Sequence, residues 1–105
     1  HIKDVVRGII FSIKNFNKLK SDTFNLGLSS ANITKIDLVK KIKKQIKTLK
    51  IEIIKNKSDP DKRDYFVSNL KIEKKGFKAK VSLEEGIREL IHVFTNNKKK
   101  IINNY

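Results

Sequence analysis

The chain contains no cysteine, no methionine and no tryptophan. No disulfide can brace it, and no thiolate can serve as nucleophile or metal ligand. With histidine only at His1 and His92, a structural zinc site has too few ligands. Proline occurs once, at Pro60, and the four glycines stand singly at 8, 27, 76 and 86, so no glycine-rich loop is available to cradle a phosphate. No apolar run reaches the 18 or so residues of a membrane span, and no charged-then-apolar leader with a small-residue cleavage site opens the chain. The expectation is a soluble, cytoplasmic protein without a membrane partner. A sequence that lacks methionine and opens on His1 is expected to be part of a longer translation product. Its 105 residues suffice for one small domain with a modest core.

What the chain has in excess is lysine. The formal net charge is +14, and lysine supplies 22 of the 25 basic residues. Lysine, isoleucine and asparagine together fill 48 of 105 positions, and their A/T-rich codons alone can generate much of that bias. Phosphate-reading surfaces favour the bidentate fork of arginine, which occurs here only at Arg7, Arg63 and Arg88. Solvated lysine faces are therefore the expected meaning of the charge. A small basic nucleic-acid-binding or interaction domain is the alternative, and it predicts affinity that falls steeply with salt and aromatics interleaved with the lysines. The six phenylalanines sit mostly at apolar-stripe or turn positions instead, which argues against nucleic acid as a partner.

Asp4 is placed to cap a helix reaching Lys14 or Asn15, with Val6, Ile9, Ile10 and Ile13 forming its buried stripe and Phe16 closing it. Thr23 to Leu26 reads as a short strand ended by Gly27, where positive φ or close approach is needed. Thr34, with Asp37 three residues on, opens a second helix whose Leu38, Val39, Ile42, Ile46 and Leu49 share one stripe opposite a lysine face. Ile51 to Ile54 reads as a second strand, and strand, helix, strand implies a right-handed crossover between parallel strands. Ser68 is expected to cap a short helix through Lys75 with Leu70 and Ile72 inward, ended by Gly76 in the left-handed region. Ser82 and Glu85 form a capping box for a last helix burying Leu83, Ile87, Leu90, Ile91 and Phe94. Gly86 inside that helix costs about 1 kcal/mol relative to alanine, a cost that close packing would explain. The fold class that follows is α/β, about four helices packed on a small parallel sheet. Residues 1–95 form the domain and 96–105 a polar Asn/Lys-rich tail expected to fray.

Three pieces of the chain carry a resemblance, in order. They are His1-Ile2-Lys3-Asp4-Val5-Val6, then Phe24-Asn25-Leu26-Gly27 with the helix from Ile36 to Ile42, then the run from Asp59 to Phe94 containing Asp-Pro-Asp, Gly76-Phe77 and Ser82-Leu83-Glu84-Glu85-Gly86-Ile87. Together they resemble the C-terminal, substrate-binding part of the NAD-dependent epimerase/dehydratase family, the extended short-chain dehydrogenases that rework nucleotide sugars. The resemblance implies a parent enzyme, expected to be a homodimer, whose N-terminal Rossmann domain binds NAD and whose Tyr-x-x-x-Lys pair does the acid/base chemistry. Both are missing here: Tyr65 is followed four residues later by Asn69, and Tyr105 is terminal. No catalytic residue, cofactor site or metal site is therefore expected in this chain, which should be inactive alone.

The same resemblance implies that the loop from Lys55 to Tyr65 lies against the diphosphate of a nucleotide-sugar substrate. Where relatives often carry an arginine, this sequence has Ser58, so Lys57 or Arg63 is the candidate cation and Asp61 the candidate acceptor for a ribose hydroxyl. Each has a plainer reading, an ion pair with Asp59, Asp61 or Asp64 for Arg63 and turn chemistry for Asp61. Asn25 is a candidate for the pocket wall or a buried amide satisfied by backbone. Gly27 is a turn glycine or a phosphate contact, and His1 a residue at the cleft edge or simply a terminus. Tyr65 is expected to pack beneath the loop and His92 to lie at the surface. Epimerisation and dehydration both remain open.

Overall fold

In the computed structural model, which describes residues 1–54 and 66–96, five α-helices follow one another along the chain. They are α1 (Ile2–Lys14), α2 (Phe16–Leu19), α3 (Lys35–Gln45), α4 (Leu70–Glu73) and α5 (Leu83–Asn96), with a single 3₁₀ turn at Ser29–Ala31. No strand occurs among the described residues. The expected α/β architecture is thus corrected: this is a helical arrangement without the parallel sheet.

The two stretches read as strands show why. Thr23 to Leu26 is extended chain tied down by side chains, with the Lys71 ammonium hydrogen-bonded to the Thr23 carbonyl at 2.9 Å and lying 5.0 Å from the Phe24 ring centroid. Ile51 to Ile54 runs beside Ile36 and Val39 of α3, forming a cleft of about 520 Å³ rather than a ladder. Three isoleucines in four residues can favour extended backbone, but a sheet needs a neighbouring strand, and none is present among the described residues.

The helix starts follow local chemistry. In α3 the Thr34 hydroxyl accepts from the Asp37 N–H at 3.1 Å and donates to the Asp37 carboxylate at 2.7 Å, so the expected cap is present. The helix stops at Gln45, short of Leu49. At α5 the Ser82 hydroxyl accepts from Glu85 N–H at 3.2 Å while the Glu85 carboxylate accepts from Ser82 N–H at 2.7 Å, the reciprocal pairing of a capping box. Gly76 takes φ +102° just past α4, where an L side chain would be strained. The helix before it is shorter than expected, and Asn69 rather than Ser68 stands at its start.

α1 departs most from the reading of its sequence. His1, not Asp4, caps it: His1 Nδ1 accepts from the Lys3 N–H at 3.1 Å. Asp4 faces inward and is buried, as is Gly8 one turn later. The aliphatic stripe faces outward instead, with Ile2, Val5, Val6, Ile9, Ile10 and Ile13 all exposed, Ile13 to 71 %, and Phe16 at the start of α2 is exposed as well.

The buried apolar core is correspondingly small. Leu19, Ile72, Phe77 and Ile87 are its buried members among the described residues. Phe77 packs against Phe11 with ring centroids 5.5 Å apart. α3 and α5 lie together, joined by a Lys41–Glu84 ion pair and by the Gln45 amide donating to the Glu84 carbonyl at 2.9 Å. Between their far halves Ile42, Ile46, Ile87, Leu90, Ile91 and Phe94 leave an apolar groove of about 350 Å³. Leu90 and Phe94, expected inside, are more than half exposed along it, and Leu70 of α4 is likewise outward.

Candidate functional site

The segment that follows residues 55–65 is fixed by asparagine amides. Val67 donates its N–H to Asn32 Oδ1 at 3.0 Å, and Asn32 Nδ2 donates to the Val67 carbonyl at 2.9 Å. One side-chain amide thus satisfies both backbone groups of Val67, as a paired strand would. Asn25 acts beside it, its Nδ2 donating to the Ser68 carbonyl at 3.2 Å. Both asparagines sit in the irregular stretch between α2 and α3, which therefore holds Val67 and Ser68 by side chains.

Asn69 comes next and is the buried member of the cluster, only 3 % exposed. Its Nδ2 donates to Ser29 Oγ at 3.3 Å, and Ser29 in turn donates to the Glu73 carboxylate at 2.7 Å. Its Oδ1 is buried without a hydrogen-bond partner. A Cβ on Gly27 would stand 3.2 Å from that oxygen and 3.4 Å from the amide nitrogen, so the residue must be small for Asn69 to lie flat against it. Of the two needs anticipated for Gly27, close approach is the one observed; its φ is not in the left-handed region.

Asn25 is therefore exposed and engaged with backbone rather than buried. Its Oδ1 keeps no partner among the described residues and is free to accept from a ligand. Lys57, Asp61 and Arg63, the other candidate substrate contacts, lie outside the described residues together with Tyr65. The asparagine cluster joins Asn25 to Ser68. Asn32 and Asn69 were missed by sequence reasoning; the signal available was the density of Asn, Ser and Gly from 25 to 32 opposite Ser68-Asn69.

His1 has a structural role: its Nδ1 caps α1, which leaves the proton on Nε2, 2.9 Å from the Glu89 carboxylate. His92 is exposed and contacts Asn96 on its own helix. Gly8 is buried within α1 against Leu26 and Phe77, Gly76 ends a short helix, and Gly86 lies inside α5, so none of these three stands at the start of a helix.

Electrostatically the most constrained group is Asp4. Burial pushes its carboxyl upward, yet the N–H groups of Lys80 and Val81, at 3.0 and 2.9 Å, and the neighbouring Arg7 guanidinium outweigh that and hold it below the ordinary carboxylate range. Asp4 therefore ties the first turn of α1 to the chain entering α5. Among the described residues no helix is long and apolar enough to cross a membrane. The chain matches no model of a known protein family.

Proposed function

We propose that this chain is the sugar-nucleotide side of an NAD-dependent nucleotide-sugar epimerase or dehydratase, inactive until joined to a domain that carries NAD and the catalytic pair. The observation that supports it best is the outward stripe of α1. Six large apolar side chains, Ile2, Val5, Val6, Ile9, Ile10 and Ile13, lie exposed on one side of α1 while the buried face holds Asp4 and Gly8. A helix that turns its aliphatic side to water is built to be covered, since a patch of this kind marks an interaction surface. The completing domain covers that stripe in this reading. Lys57, Arg63 and Asp61 then contact diphosphate and ribose, and the free Oδ1 of Asn25 accepts a hydroxyl at the pocket wall.

The test is expression of the whole reading frame that encodes this segment, followed by assay with UDP-, dTDP-, GDP- and CDP-sugars. NAD-dependent conversion of one of them, with Arg63→Ala raising KM about tenfold or more, is the expected result. A frame that encodes no glycine-rich turn and no Tyr-x-x-x-Lys pair, or a full-length protein that converts none of the sugars, overturns the reading.

A further inference from the structure

A cleft of about 400 Å³ opens between α1 and the chain following α4, away from the asparagine cluster. Its described walls are Arg7, Ile10, Phe11 and Lys14 from the helix and Gly76, Phe77, Lys78 and Lys80 opposite. Four cations thus surround two phenyl rings, and no carboxylate is among these wall residues. We infer that this cleft is a binding site for an organic phosphate, a doubly charged phosphate group carried on an aromatic body.

A positioned arginine at a concave, partly apolar wall is what separates the cleft from an ordinary lysine face. On the surface some carboxylates meet lysines: Asp22 pairs with Lys71, Asp37 with Lys40, Glu84 with Lys41 and Glu89 with Lys3. Lys14, Lys78 and Lys80 have no side-chain ion pair among the described residues, a property they share with Lys44 and Lys47. The one acid nearby, Asp4, is buried and spent on Arg7 and on two backbone N–H groups. Like charges converging on a concave, partly apolar wall focus a positive potential that an anion relieves.

Arg7 is also held in place before any ligand arrives. One terminal nitrogen is paired with Asp4, the other donates to the Lys78 carbonyl at 3.3 Å, and its carbon lies 5.8 Å from the Phe77 ring centroid. A guanidinium has five N–H donors, so others remain for phosphate oxygens. Half-buried Phe11 supplies the apolar wall for the ring, backed by Phe77 in the core with the two rings tilted at 49°.

The experiment is an NMR titration of the ¹⁵N-labelled chain with phenyl phosphate and, separately, inorganic phosphate. The expected result is that shifts concentrate on residues 7–14 and 76–80, with phenyl phosphate binding about tenfold more tightly than inorganic phosphate. Lys14→Glu with Lys78→Glu, both exposed positions that leave the core intact, abolishes the localised shifts while the helical spectrum is unchanged. Shifts spread in equal measure over Lys40, Lys43 and Lys44 of α3, equal affinity for the two phosphates, or binding that survives the double substitution would each overturn the inference.

Discussion

Asp4 and Val81 are separated by 77 positions in sequence and by 2.9 Å in space, where the buried carboxylate accepts the Val81 N–H. The Lys80 N–H and the Arg7 guanidinium complete its shell. In a chain with four buried apolar core residues, this polar tie holds α1 against the rest of the fold. Asp4→Ala strands two N–H groups and a cation, and is expected to cost about 2–4 kcal/mol. Urea unfolding at pH 7 measures it, and a loss below about 0.5 kcal/mol contradicts the role.

The same carboxylate sets an acid limit. Its folded pKa lies below the ordinary value, so the unfolded chain takes up the proton first as pH falls. The stabilisation is complete above the unfolded pKa near 3.8 and is lost as pH drops through the lower folded value. Stability measured from pH 6 down to pH 2 should fall more steeply in the wild type than in Asp4→Asn. Parallel curves for the two proteins would remove Asp4 from the account.

Gly86 was expected to be demanded by close packing, and the structure shows otherwise. A Cβ there meets only His1 Cδ2 at 3.7 Å, an ordinary contact. Gly86→Ala should therefore stabilise the chain by about 0.5–1 kcal/mol through helix propensity alone. A lowered thermal midpoint would mean that α5 packs more tightly against His1 than described.

Asn32 does for Val67 what a strand neighbour would do. Asn32→Ala should leave the helices intact while the Val67 amide exchanges with solvent at least about tenfold faster. Exchange at the wild-type rate would show that the side-chain clamp is not what protects it.

Sequence reasoning succeeded where a feature is decided within a few residues. Thr34 with Asp37, Ser82 with Glu85, and Gly76 needed only their own neighbours to fix a helix end. It failed where the outcome depends on a partner far along the chain. Thr23 to Leu26 and Ile51 to Ile54 have strand composition but find no strand to pair with, and Asn25 and Asn32 took the hydrogen-bonding part by side chain. Periodicity identified the α1 stripe correctly as one face. It carried no information on which face turns inward, and the buried Asp4, bound by residues nearly 80 positions away, decided that. For the asparagine cluster, Asn25, Asn32 and Asn69 act through contacts 43, 35 and 40 positions distant, which no local pattern announces.

The central claim is that the aliphatic face of α1 is the seam to a completing domain. The most direct measurement is the relaxation of the Ile9 and Ile13 methyl groups by a soluble paramagnetic agent, in this chain alone and in the protein encoded by the whole reading frame. The account predicts strong relaxation in the chain alone and at least about fivefold less in the longer protein, where the seam is covered. Equal relaxation in both would contradict it.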